Sequence, residues 1–224
     1  MTFQIGKHFR QLAVFAMLLH GSLASAQFAA VVSPPRFEIT VPAGGRSTQV
    51  LSISNMANQA ARYRIKTADW TYGADRSIDF IDELKPESCR PWVAIEDHEI
   101  LAPPGRRVPF RIQVDVPENT PAQECRFALL IEGDEQLIKS PQGPAMPVSG
   151  RIGVIFYVSV AGAAPKLSIQ GAGTQAAGPS PRLPLVKVIN SGNAHGRLAG
   201  FLSGKDARGQ DLEFTPSSLP ILPG

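Results

Sequence analysis

Hydrophobic and polar residues alternate with a period of two through most of this chain, the spacing that puts successive side chains on opposite faces of a β-strand. In residues 107–116, Val108, Phe110, Ile112, Val114 and Val116 fall on one face, and Arg111, Gln113 and Asp115 on the other. Residues 62–70 alternate Arg62, Arg64 and Lys66 with Tyr63, Ile65 and Thr67. Leu51 and Ile53 share a face in 47–55, as do Phe127, Leu129 and Ile131 in 125–133. No segment sustains a 3.6-residue period, so helices are not expected. Turn-forming clusters at 42–45, 55–58, 103–105 and 117–121 separate the runs. Strands are predicted near 30–41, 47–55, 61–71, 90–96, 107–116, 124–132 and 145–161, with a polar excursion over 72–88. Short alternating strands at this spacing are the signature of an all-β, immunoglobulin-like antiparallel β-sandwich.

Residues 162–181 are rich in Ala, Gly, Ser and Pro and read as a linker with one weak strand. A second β region follows at 184–190 and 196–204, then a turn at 206–209 and a returning DLEF. About 60 residues are fewer than the ~100 of a full immunoglobulin-like sandwich. The chain is therefore read as a first immunoglobulin-like domain over 27–162 and a second, incomplete or short one over 163–224.

Charge changes this picture little. Lys7 and Arg10, the apolar run 12–19 and the small-x-small ending Ala24-Ser25-Ala26 read as a secretory signal peptide over 1–26. Its removal leaves 20 basic and 19 acidic residues, a net of +1, with no basic stripe for nucleic acid. No later run is apolar and long enough to span a membrane. Cys89 and Cys125 are the only cysteines. In an oxidising compartment they are expected to form a disulfide; a redox pair would call for closer spacing, and no His lies near either for a metal site. His98, among Glu96, Asp97 and Glu99, reads as a solvated turn. No nucleophile elbow, phosphate loop or zinc-binding helix is present, so the reading is a non-enzyme without cofactor or metal.

VSPPRFEITVPAGG (32–45), Ile53-Ser54-Asn55, ECRFAL (124–129), IFYVSV (155–160) and PLVKVINSGNAHGRLAG (184–200) occur in an order and spacing that resembles the PapD-like periplasmic pilus-assembly chaperones. The resemblance covers most of residues 30–200. It implies two immunoglobulin-like domains set in an L and a periplasmic location. It also implies donor-strand complementation, in which the seventh strand fills the open groove of a pilus or fimbrial subunit for cell-surface assembly. Pilus subunits are then the partners, with an outer-membrane usher as a further candidate. The donor strand falls on 144–160, with Met146, Val148, Ile152 and Val154 as groove-filling side chains; the rival view is that these complete the chain's own core. Gly150 offers a groove no side chain. Two basic residues of the family grip the subunit's terminal carboxylate. Their positions here hold Glu38 and Val154, so Arg36 and Arg151 are the shifted anchors expected, and the chain reads as a divergent member. The alternative is a secreted immunoglobulin-like binding or structural module of a cell-surface assembly.

Overall fold

The computed structural model describes residues 28–73, 76–86, 88–138, 144, 146–177, 180–206 and 208–224. The signal peptide expected over 1–26 lies outside them, as does Ala145. The strands are β1 (Ala30–Ser33), β2 (Arg36–Val41), β3 (Arg46–Asn55), β4 (Ala61–Tyr72), β5 (Ile78–Ile81), β6 (Val93–Ile95), β7 (Glu99–Ala102) and β8 (Arg107–Asp115). They continue with β9 (Glu124–Gly133), β10 (Gln136–Ile138), β11 (Met146–Val148), β12 (Arg151–Val160), β13 (Leu167–Ala177), β14 (Ser180–Asn190), β15 (Leu202–Lys205) and β16 (Asp211–Phe214).

Residues 30–160 form the sandwich the alternation predicts. One sheet runs β1-β3-β8-β6, the other β2-β12-β9-β4, with β5 and β7 both pairing β4. The predicted strand 30–41 is two strands in two sheets. β1 pairs β3 antiparallel, whereas β2 pairs β12 parallel. Pro34 and Pro35 lie between them; lacking N–H donors, they end one ladder before the next begins. The predicted strand 145–161 also divides, because β11 folds back on β10 as a hairpin and leaves β12 to start at Arg151.

The inner faces meet in one core. Leu51, Ile53, Phe110, Ile112 and Val114 of the first sheet oppose Ile65, Phe127, Leu129, Ile131, Phe156 and Val158 of the second. Phe37, Phe156 and Phe127 share a cross-strand register and stack, with centroids 4.6 and 4.5 Å apart. β9 and β12 are apolar on both faces, and both are covered. On the outer face Trp70, Ala128, Leu130, Ile155 and Tyr157 form a second cluster, shielded by Phe80 and Leu222. Phe80 belongs to the excursion read as polar; its ring lies where a Cβ on Gly153 would sit, 2.2 Å away. Buried Asp69 holds that excursion by accepting from the Lys85 N–H at 2.9 Å and facing Arg90 at 3.5 Å.

Residues 163–224 are built on two β-ribbons, β13-β14 and β15-β16, with a bridge between Gly196 and Ile221. Much of the presumed linker is strand: β13 pairs β14 from Leu167↔Asn190 to Ala177↔Ser180. Both parts use the same device where a strand ends. Asn55 is fully buried, donating to the carbonyls of Gln59 and Ala102 and accepting from the Ala57 N–H. Asn190, 1% exposed, donates to Ala194 and Ile221 and accepts from Lys166 and Gly192. Asn190→Ala strands these groups without partners and is expected to cost about 2–3 kcal/mol, read as a lowered denaturant midpoint at unchanged slope.

Candidate functional site: an open strand edge and a cationic junction

β12 pairs β9 along its whole length, from Arg151↔Glu132 to Ser159↔Glu124. Its other side pairs β2 only from Ile155 onward. The Ile155 N–H points to that side, donating to the Pro35 carbonyl at 3.3 Å. Backbone groups alternate sides along a strand, so those of Gly153 and Arg151 point the same way. They have no strand partner among the described residues. An unpaired row of this kind is a template for an added strand.

Beside this edge, Met146 and Val148 are 60% and 37% exposed. Ile152 is half-buried, and Val154 is fully buried in the main core. The four expected groove-filling residues therefore divide. Met146 and Val148 are free to meet a partner, whereas Val154 completes its own sandwich, because even-numbered β12 residues point inward. Gly150 has packing of its own: a Cβ there would sit 2.1 Å from the Phe28 ring.

The structure does not bring Arg36 and Arg151 together. Arg36 pairs with Glu38 at 2.8 Å, and Arg151 with Glu132 at 2.8 Å. Arg36 stands opposite Ile155, four residues from Arg151, or about 13 Å of strand. One carboxylate cannot bridge them.

A different set converges where the sandwich meets residues 193–197. Glu38 accepts from Arg197 at 2.9 Å, forms an ion pair with Arg36 at 2.8 Å and faces His195 Nε2 at 3.6 Å. Burial pushes the Glu38 carboxyl up, but the Arg197 hydrogen bond and the charges of Arg197, His195 and Arg36 outweigh it, holding the carboxyl below its ordinary value. His195 Nδ1 lies 2.6 Å from the Glu124 carboxylate, which also accepts from the His195 N–H at 3.2 Å. The Asn193 side chain donates to the Ala122 carbonyl, and the Asn193 carbonyl accepts from the Glu124 N–H at 2.8 Å. These contacts fix the second part of the chain against β2 and the start of β9.

Aromatic rings form the wall. Tyr157 lies 4.1 Å from His195 and 5.6 Å from Trp70, centroid to centroid, and Tyr72 stands edge-on to Trp70. The Arg197 and Arg126 guanidiniums lie over Tyr157 and Trp70 at 5.8 and 5.6 Å. Burial, then the hydrogen bond to Tyr72, pushes the Tyr157 hydroxyl far above its ordinary value, so it stays protonated. Arg36, Arg126 and Arg197 against Glu38 and Glu124 leave this junction with a net positive charge. Sequence reasoning missed Arg197 and His195 as site residues. Their segment, Gly192–Arg197, shows its role only once folded against Glu38.

His98 makes the bland contacts expected of it, its carbonyl accepting from the Ile65 N–H at 2.8 Å. Cys89 and Cys125 are both buried, as free thiols in contact. Burial and the neighbouring Cys125 push the Cys89 thiol up. Among the described residues no helix is long and apolar enough to cross a membrane.

No model of a known protein family matches the chain. No curated protein matches it in sequence. Solved structures do. It is similar to the class 5 fimbrial chaperone CfaA at 11% identity and a TM-score of 0.53, over 87% of this chain and 82% of that one. It is similar, with a TM-score of 0.52, 11% identity and the same coverages, to a chain from a chaperone–tip adhesin complex described in CFA/I fimbriae biogenesis. This chain has the fold of the fimbrial chaperones. The PapD-like, immunoglobulin-like β-sandwich inferred from its motifs is the fold it adopts.

Proposed function

We propose that this protein is a periplasmic chaperone for pilus or fimbrial subunits, stabilising them by strand addition at β12 for assembly on the cell surface. The observation that carries the reading is the open edge at Arg151–Val154, beside exposed Met146 and Val148. The shared fold with a fimbrial chaperone and with a chain from a chaperone–adhesin complex supports it. A subunit lacking a strand exposes an apolar groove and backbone groups that water alone satisfies; an added strand covers both. No bond is made or broken, so the role is not enzymatic. The cationic junction is the proposed place for the subunit's terminal carboxylate, with Arg197 and Arg36 as the gripping residues, since guanidinium holds carboxylate through two hydrogen bonds. Glu38 occupies that grip in the free protein.

The reading includes the signal peptide over 1–26 and domains over 27–162 and 163–224. It also includes a Cys89–Cys125 disulfide formed on export. Closing a loop of 36 residues, the bond adds about 3–4 kcal/mol under the chain-entropy model. Peptide mapping without reductant of protein taken from the periplasm is expected to show Cys89 linked to Cys125; two free thiols contradict the pairing.

A second reading is an immunoglobulin-like binding or structural module of a cell-surface assembly. The burial of Val154 in its own core favours it. A pull-down of the tagged mature protein from periplasmic extract of subunit-expressing cells separates the two. A stoichiometric β-rich partner with an alternating apolar end segment supports the chaperone; recovery of the protein alone supports the module.

A further inference from the structure

The end of β9 and the start of β12 meet at two glycines. The Gly133 N–H donates to the Gly150 carbonyl at 3.0 Å. A Cβ on Gly133 would come within 2.6 Å of the Phe28 ring, and one on Gly150 within 2.1 Å. The same ring stands edge-on to Tyr63, centroids 5.9 Å apart at 85°. Phe28 packs against the main core yet stays partly exposed. The two missing side chains thus open a notch at this end of the sandwich, shaped for one aromatic ring and bordered by a third residue that is itself aromatic.

Two observations make this notch more than a structural plug. The first is its place. Gly150 adjoins Arg151, the first residue of the open β12 edge, and lies two residues beyond exposed Val148. A strand that adds to Arg151–Val154 and continues past Arg151 runs beside Gly150, with Gly133 on the far side of β12, within reach of a large side chain laid across Gly150. The second is how the present occupant is held. The β1 ladder begins at Ala30↔Asn55, so Phe28 lies outside it. Its ring can leave without breaking a ladder hydrogen bond.

We propose that the notch between Gly133 and Gly150 is a docking site for an aromatic side chain of the strand that adds to β12. Phe28 fills it in the free protein and leaves as the partner's ring enters. This rests on the strand-addition reading and adds to it a side-chain preference and a built-in competitor. The partner strand then carries an aromatic residue beyond the stretch that pairs Arg151–Val154, and the exchange conserves apolar burial, ring for ring.

The test uses the full mature chain, Phe28→Ala, and Phe28→Ala with Gly150→Ala, all assayed well below their melting temperatures. The probe is an acetylated, amidated ten-residue peptide of alternating Phe and Thr between terminal lysines, followed by fluorescence polarisation. Removing the competitor is expected to tighten binding at least about fivefold, and the added Gly150→Ala methyl to cancel that gain. Equal or weaker binding by Phe28→Ala overturns the notch while leaving strand addition standing. Indole, titrated into Phe28→Ala with the Gly133 and Gly150 amides watched by NMR, separates the remaining case. If no variant binds the peptide but indole shifts both amides, and does so only with Gly150 intact, the notch stands as an aromatic site and strand addition fails. If indole shifts neither amide, the notch is overturned.

Discussion

Met146→Asp together with Val148→Asp is expected to abolish subunit capture and leave the fold intact. Both side chains are exposed on β11, so neither substitution disturbs the core; the melting temperature should change by what surface substitutions change it, within about 0.5 kcal/mol each. In a complex the same positions enter an apolar groove, where a carboxylate without a partner costs several kcal/mol. Two of them should lower affinity by at least about a thousandfold. A pull-down with a thermal melt on the same preparation checks both halves. Val154→Asp is the contrasting control. Val154 is 0% exposed within the main core, so that variant is expected to fail to fold rather than fold without binding. If the double variant keeps its partner, the groove-filling role of β11 is wrong.

Arg197→Ala is expected to weaken subunit binding by about ten- to a hundredfold, the worth of a charge-assisted hydrogen-bonded contact. Arg36→Ala should act in the same direction, and Arg151→Ala should stay within about threefold, because Arg151 is tied to Glu132 away from Glu38 and Arg197. Titration calorimetry of the purified subunit complex ranks the three. The pH dependence of stability follows from Glu38. Its folded pKa lies below its unfolded value, because Arg197, His195 and Arg36 together outweigh burial. Its contribution is therefore fully present above the ordinary carboxylate pKa and disappears as pH falls through the depressed folded value. Wild type should be more stable than Glu38→Gln near neutrality, and the difference should shrink on acidification into that window. Glu38 is 41% exposed, so screening by solvent keeps the difference small. A gap that stays constant across the acid range contradicts the ion-pair account.

The sandwich was legible because its long strands bury one face or two. Val108 to Val116 alternate in the sequence and line the core in the structure. The parts that were not legible depend on contacts between distant segments. The excursion around β5 looks polar from Asp79 and Asp82, yet Phe80 of β5 covers Gly153 from across the sheet. β13 is so rich in Gly and Ala that its side chains announce only a weak strand within a linker; backbone pairing with β14 extends it from Leu167 to Ala177. Pro34-Pro35 and Ser149-Gly150 each break a run that alternation alone joined. At the site, the exposed pair Met146 and Val148 was readable from period two. The break at Gly150 and the burial of Val154 were not. Arg197 was missed for a simpler reason: it is 159 residues from Glu38, a separation that local pattern cannot bridge.

The central claim is that a partner's strand adds to β12 at its open edge. Amide hydrogen exchange at Arg151 and Gly153, in the free protein and in the complex recovered by pull-down, tests it most directly. Both N–H groups point to the side of the strand that has no partner among the described residues, so they should exchange quickly when free and become strongly protected in the complex. Rapid exchange at both in a stoichiometric complex contradicts the account and places the partner elsewhere.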